Sequence, residues 1–228
     1  MLKLSGEALM GGKDFGIDLD TINSVTSQIA IVCKKGIKIS IVVGGGNIFR
    51  GISASSEGMD RSSADYTGMM ATVINSLILQ NSLEQKGVQT RVLSAIKMDT
   101  VCEAYIRRRA IRHIEKNRLV IFAAGTGNPF FTTDTAAALR ASEMKCDFLF
   151  KATKVDGIYD VDPIQNKNAK KLNNLKYDYV INKNLKIMDT ASISLAKENK
   201  IPILVFSIFE KDSLLSIIEG KGSYTVIS

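Results

Sequence analysis

The sequence predicts an α/β protein, a three-layer α/β/α sandwich with a mainly parallel central sheet of about eight strands. Three observations carry this. Strand-like and helix-like segments alternate along the chain. Several strand-like runs, such as Ile39-Ser40-Ile41-Val42-Val43, are apolar almost throughout, as strands covered on both faces are. Glycine-bearing loops follow such runs, at the carboxyl ends where open α/β sheets bind ligands. The 228 residues are expected to form one domain, residues 1–228, and an apolar share of 45 % is enough for its core.

Taken in order, strands are expected over residues 1–4, 37–43, 90–94, 118–123, 148–152, 203–206 and 224–227. Residues 18–35 carry Ile22, Val25, Ile29 and Val32 at helical spacing, and Gly36 ends that helix. The longest helix is expected over residues 63–86, with Met70, Val73, Ile74, Leu77, Ile78 and Leu83 as its apolar stripe. Ser62-Ser63-Ala64-Asp65 fits a capping box at its start, and Gly87 a terminator. Residues 135–145 and 190–199 read as further helices, the second stopped before Pro202. Residues 155–176 break the rhythm. Asp156-Gly157, Asp160 and Asp162-Pro163 are turn chemistry, so an irregular or hairpin excursion is expected there.

Composition narrows the function. No run reaches the ~18 consecutive apolar residues of a membrane helix, and the first residues lack the regions of a signal peptide. Cys33, Cys102 and Cys146 are far apart and odd in number. They support neither a disulfide framework nor a zinc site, and a reducing cytoplasm suits them. A net charge of +7 suits anionic ligands. The basic run Arg107-Arg108-Arg109-Ala110-Ile111-Arg112 has no interleaved aromatics, so it reads as a solvated helix face rather than a nucleic-acid patch. His113, the only histidine, is expected on the surface of the same helix, which argues against histidine-based catalysis and His-ligated metals.

Four stretches could carry chemistry. Lys3-Leu4-Ser5-Gly6-Glu7-Ala8 puts a compact positive charge at the end of a first strand. Gly44-Gly45-Gly46-Asn47-Ile48-Phe49-Arg50-Gly51 strips side chains from a loop after a buried strand. Its N–H groups can form an anion nest, and Arg50 adds a planar donor fork. It is neither a Walker A loop nor G-x-G-x-x-G. Gly125-Thr126-Gly127-Asn128-Pro129-Phe130-Phe131-Thr132-Thr133-Asp134 joins a strand to a helix. It reads either as an anion site at a helix start or as a tight turn capped by Thr132, Thr133 or Asp134. In Lys151-Ala152-Thr153-Lys154-Val155-Asp156-Gly157-Ile158-Tyr159-Asp160-Val161-Asp162-Pro163, two lysines and a tyrosine surround a turn. A purine site and a plain hairpin both fit.

In order and spacing, these four stretches resemble the amino acid kinase superfamily and, within it, the bacterial uridylate kinase family. The resemblance runs nearly end to end, and the 125–132 segment separates this family from its acetylglutamate and aspartate kinase relatives. It implies magnesium-assisted phosphoryl transfer from ATP to UMP, forming UDP in pyrimidine nucleotide biosynthesis in the cytoplasm. By that resemblance Lys3, Leu4, Ser5, Gly6, Gly46 and Arg50 meet the ATP phosphates, and Thr153, Tyr159 and Asp162 line the base and ribose site. Gly45, Asp65, Thr126, Gly127, Asn128, Pro129, Phe130, Phe131, Thr132 and Thr133 hold UMP, with Asp65 on the ribose hydroxyls. Asp134 and Asp189 stand near the reaction centre, beside Lys3 and Arg50, organising Lys3 and the magnesium-bound phosphates. No residue is assigned as a direct metal ligand.

The same resemblance implies a homohexamer, activated by GTP and inhibited by UTP, with Gly11-Gly12-Lys13-Asp14-Phe15-Gly16 matching the activator segment. Neither a membrane nor a nucleic acid is implied as a partner, and the 107–112 arginines receive no role. Family members carry about ten more residues ahead of the matching lysine, so the strand bearing Lys3 is expected to be short and prone to fray. A kinase acting on a carboxylate or carbamate would need a different 128–131 segment. A non-catalytic nucleotide sensor or nucleic-acid binder would instead use the basic surface.

Overall fold

Side-chain alternation along the strands decides where the layers lie. The computed structural model describes residues 1–50, 58–161, 166 and 168–228. In β2 (Ser40–Val43), Ile41 and Val43 enter one apolar cluster and Val42 the other. β1 (Leu2–Leu4) does the same: Leu2 and Leu4 share the Ile41 face, and Lys3 faces the opposite way. Both faces are therefore buried, as the apolar strand runs require.

Among the described residues nine strands form one sheet, in the order β4-β3-β5-β2-β1-β6-β10-β11-β9. The remaining members are β3 (Thr90–Ser94), β4 (Glu103–Ala104), β5 (Leu119–Ala123), β6 (Leu149–Thr153), β9 (Asn174–Leu175), β10 (Ile203–Ser207) and β11 (Tyr224–Ile227). Only the β10–β11 pair is antiparallel. The short β7 (Ile158–Tyr159) and β8 (Lys171–Leu172) form a separate antiparallel pair. The expected excursion is thus a hairpin over the residues described, and β9 returns it to the sheet edge.

On the Leu2/Leu4 face pack α1 (Leu19–Lys34), α2 (Arg61–Gln85) and α7 (Ser213–Ile218). On the other face pack α3 (Arg107–Glu115), α4 (Thr133–Glu143), α5 (Tyr177–Asn182) and α6 (Thr190–Glu198). Four fully buried alanines, Ala136, Ala137, Ala138 and Ala141, let α4 lie close to the sheet. The expected α/β/α layering is present, with one strand more than anticipated, because β4 and β9 have two residues each and too little pattern to read. β1 is paired on both sides, to β2 and β6, and Lys3 is 3 % exposed, so the strand is held where fraying was expected.

Three local expectations are corrected. α2 starts at Arg61 with Asp60 as its cap, accepting from the Ser63 N–H at 2.9 Å; the Asp65 carboxylate is engaged elsewhere. Its buried stripe runs through Met69, Thr72, Ser76, Leu79 and Leu83, while Ile74 is exposed. Thr72 and Ser76 can sit inside because their hydroxyls bond to Met69 O and Thr72 O, each at 2.7 Å. His113 is buried, not on the surface, with its ring between Glu103 Oε2 and Arg118, each at 3.1 Å. The neighbouring arginines of α3 are exposed, as expected.

The loop after β2 rests on two buried amides. Asn75 Nδ2 donates to Gly44 O and to Asn47 Oδ1, each at 2.7 Å, and Asn47 Nδ2 donates to Gly16 O at 2.9 Å. Asn75→Ala would leave those acceptors unpaired inside the protein. It is expected to cost about 2 kcal/mol, measurable as a lowered urea midpoint with an unchanged m-value.

Candidate active site

Strand register builds the centre of the site. Lys3 and Lys151 are register partners on adjacent parallel strands, β1 and β6, so their side chains leave the same face side by side. Between them comes Asp134 from the first turn of α4. Its Oδ1 is 2.6 Å from Lys3 Nζ and 2.6 Å from Lys151 Nζ, and its Oδ2 is 2.7 Å from Lys151 Nζ. Both lysines are buried. Burial alone would raise the Asp134 pKa, but the Lys3 charge and then the Lys151 charge outweigh it and hold the group at about 2. For Lys151, burial and then the Lys3 charge lower the ammonium against the pull of Asp134, leaving it at about 8. Asp134 is not the helix cap. Thr132 is, accepting from the Asp134 and Thr135 N–H groups at 3.0 and 3.4 Å.

The glycine loops lie at the same sheet edge. Gly44 follows β2, Gly125 follows β5 after Ala124, and β2 and β5 are neighbours. Gly6 abuts the 44–46 loop so closely that a Cβ on it would lie 2.6 Å from Gly46 N and from Asn47 Oδ1. Ser5 accepts from Ala8 N–H at 3.2 Å and turns the chain there. The Leu4 side chain is in the core and its carbonyl accepts from Gly44 N–H at 2.9 Å, so it places the loop rather than facing a ligand. Arg50 is ion-paired with Glu7 at the surface, and its Nε donates to Gly46 O at 3.3 Å. Gly51 lies outside the described residues.

A cleft of about 140 Å³ beside the triad is lined by Gly45, Asp65, Thr126, Phe131, Thr132 and Thr133, among others. The sequence reading had assigned these six residues to one ligand, and the fold brings them together. Gly127, Asn128, Pro129 and Phe130 form the turn at its rim, where Thr126 Oγ1 bonds Asn128 O and N at 3.1 Å each. Asp65 Oδ2 is already committed. It accepts from Arg61 Nε at 2.9 Å and from Phe130 N–H at 2.8 Å. That bond anchors Phe130 in a left-handed conformation, φ +70°, with the Arg61 guanidinium over its ring at 5.9 Å.

Asp189 caps α6 through Ser192 N–H at 2.7 Å, while its Oδ2 accepts from the Thr132 and Thr135 hydroxyls, the latter at 2.8 Å. It is thus tied to the start of α4 rather than to Lys3. Thr153 and Tyr159 lie after β6 and on β7, where Thr153 Oγ1 donates to Val155 O at 2.6 Å and Tyr159 bonds Asp156. Asp162 falls outside the described residues. In the Gly11-Gly12-Lys13-Asp14-Phe15-Gly16 segment, Gly16 N–H donates to Asn47 O at 2.7 Å, joining it to the glycine loop. A larger cleft of about 590 Å³ opens at the opposite sheet edge, among apolar residues such as Met1, Ile39, Phe148 and Leu214. It holds no comparable constellation and lies away from the triad.

A family model described as "Amino acid kinase family" matches residues 1–207. The chain belongs to the amino acid kinase family. Proteins named uridylate kinase from Wolbachia pipientis wMel and Rickettsia bellii are 58 % and 59 % identical to it over 228 and 227 residues. The match covers 100 % of this chain and 92 % and 95 % of theirs. The crystal structure of UMP kinase from Ureaplasma parvum superposes with a TM-score of 0.94 at 42 % identity, covering 100 % of this chain and 97 % of that one. That of UMP kinase from Bacillus anthracis gives 0.95 at 39 %, covering 100 % and 94 %.

Within this family framework, three residues of the site lay outside the sequence assignment: Lys151, Arg61 and Asn75. Lys151 had a signal, a lysine inside an otherwise apolar strand, but its partner is visible only once β1 and β6 are neighbours.

Asp134 carries a pH signature. Its folded pKa lies below the ordinary value of 3.8, so its stabilisation is present above that value and is lost as pH falls toward about 2. The loss amounts to about 2 kcal/mol. Asp134→Asn leaves two buried ammonium groups without their counter-ion and is expected to cost about 3–5 kcal/mol at neutral pH. Urea unfolding of both proteins from pH 7 to pH 2.5 should show this gap narrowing in acid; a constant gap would refute the assignment.

Proposed function

We propose that this chain transfers the γ-phosphoryl group of ATP to UMP, giving UDP and ADP. The observation that supports it most is the cleft of Gly45, Asp65 and the 126–133 loop opening beside the Lys3–Asp134–Lys151 triad, in a chain so similar to proteins named uridylate kinase. A phosphate oxygen of UMP attacks the γ-phosphorus, and the bond from that phosphorus to the β–γ bridging oxygen breaks. The electron pair leaves on ADP. The acceptor is already anionic, so no base has to remove a proton, and the chemistry reduces to alignment and charge neutralisation. Lys3 and Lys151 supply positive charge at the transferred group, and Asp134 keeps both ammonium groups aimed. The N–H groups of the 44–46 loop and Gly6 cradle the donor phosphates, and Arg50 reaches them from the rim. Asp65 has Oδ1 left for the ribose. Asp189 acts through Thr132 and Thr135 on the start of α4.

Magnesium belongs to this reading as an ion carried by ATP, shielding its phosphate charge. The donor set fits such an ion. Asp134 and Asp189 have their oxygens engaged by lysines, hydroxyls and an N–H group, which leaves phosphate and water as its ligands. Thr153, Tyr159 and Asp162 complete the donor site. We also read the chain as one domain acting in the cytoplasm as a homohexamer, with GTP activating and UTP inhibiting. An effector at residues 11–16 would act on the glycine loop directly through Asn47. No helix of the described residues is long and apolar enough to cross a membrane.

An ADP-release assay with UMP, CMP, acetylglutamate and aspartate, run with magnesium-ATP and with or without GTP, tests this. Turnover is expected with UMP, and none with it would overturn the reading. Lys151→Ala is expected to lower kcat by about 10²–10³-fold, as loss of one charge-stabilising donor does elsewhere, with the KM for UMP little changed.

A further inference from the structure

The β7–β8 hairpin is held by something other than its own ladder. Each strand has two residues, and an isolated pair of that size is not stable in water. Its tethers are polar and converge on Asp156. Asp156 Oδ1 accepts from the Tyr159 hydroxyl at 2.6 Å, and Oδ2 accepts from Lys171 Nζ at 2.9 Å and from Ser223 Oγ at 2.5 Å. The Lys171 ammonium also reaches Asp156 O at 2.6 Å and Ser223 Oγ, so all its protons are used. Ser223 directly precedes β11, so this carboxylate joins the hairpin to the main sheet. Thr225 adds a second bridge, accepting from Ile158 N–H at 2.9 Å and donating to Leu172 O at 2.5 Å.

Gly157 permits the closeness. A Cβ there would lie 2.4 Å from Lys171 Cε and 2.8 Å from Thr225 Oγ1. The three donors hold Asp156 well below the usual carboxylate range despite the opposing effect of burial. The hydrogen bond to Asp156 in turn pushes Tyr159 up to about 12. The tyrosine hydroxyl is therefore a donor fixed on this carboxylate throughout the neutral range.

We propose that Asp156 is a positioning residue for the donor nucleotide: by gathering Tyr159, Lys171 and Ser223 it fixes the hairpin on β11 and sets the Tyr159 ring where the ATP base binds. This rests on the kinase reading above, in which Tyr159 lines the donor site. Asp156 itself touches neither nucleotide in this scheme, so its loss should weaken ATP binding and spare the transfer step.

The test is a double-mutant cycle on the full-length protein with Asp156→Asn, Tyr159→Phe and the pair, in steady-state assays varying ATP and UMP. Asp156→Asn is expected to raise the KM for ATP about tenfold, with kcat and the KM for UMP within about twofold. Tyr159→Phe should raise the KM for ATP in the same way, and the pair should be no worse than Asp156→Asn alone, because both remove one contact. Multiplying effects, equal changes in both KM values, or an unchanged KM for ATP would each overturn the proposal. Should Asp156→Asn fail to fold, Ser223→Ala is expected to raise the KM for ATP alone about threefold, and wild-type values there overturn it. Turnover of UMP by the wild-type protein in the same assay keeps a failure of this role distinct from a failure of the kinase reading.

Discussion

The Lys3–Asp134–Lys151 contact is the constraint around which the sheet edge is arranged. Two ammonium groups and one carboxylate leave one net positive charge in a nearly dry place. Opposite unit charges 4 Å apart attract by about 4 kcal/mol at an effective dielectric of 20, and desolvation opposes much of that. The depressed Lys151 is the sign of that opposition. A site strained in this way gains when a polyanion enters, because the phosphate adds the negative charge the triad lacks. The start of α4 adds its exposed N–H groups and the positive end of its dipole.

Around the triad, polar side chains rather than apolar packing hold the loops. Asn75 and Asn47 support the 44–46 loop from below, Asp65 holds the rim of the 125–133 loop, and Asp189 joins α6 to the start of α4. Each bond is directional, so each loop is fixed in orientation as well as position. That matters for a transfer whose barrier is lowered by alignment. It also explains how Ala124 and Phe130 can both hold left-handed backbone within seven residues of each other. Such conformations cost on the order of 1–3 kcal/mol unless neighbours fix them, and here Thr72 Oγ1 accepts from Ala124 N–H at 2.8 Å while Asp65 accepts from Phe130 N–H.

How much of this could be read beforehand follows from what each feature depends on. β3 and β11 match their expected bounds residue for residue, because their sequences are strongly patterned and bounded by turns. The glycine loops and the 125–134 stretch announced themselves by composition. The stripe of α2 did not, because hydropathy ignores Thr72 and Ser76, whose hydroxyls are satisfied within the helix. His113 was placed outside for the same reason: nothing local shows that Glu103 and Arg118 will enclose it. Lys151 and Arg61 depend on strand order and loop contact, which are non-local. The hairpin could be expected from Asp156-Gly157, but its tether to Ser223 spans sixty-seven positions.

The triad's geometry nevertheless begins in three residues of ordinary pattern. In Leu2-Lys3-Leu4 the two leucines are almost completely buried on one face, and that alone decides which way Lys3 points. A slip of one residue would turn Lys3 into the layer of α1 and α2 and expose the leucines to the α4 side. The same holds for β6, where Leu149 shares the face of Lys151 and Ala152 lies on the other. The register that places two positive charges on one carboxylate is thus enforced by apolar burial on both strands. Charge sets what the site can do, while hydrophobic alternation sets where that charge stands. A substitution that weakens the alternation, such as Leu4 to a polar residue, would disturb the site without touching any group in it.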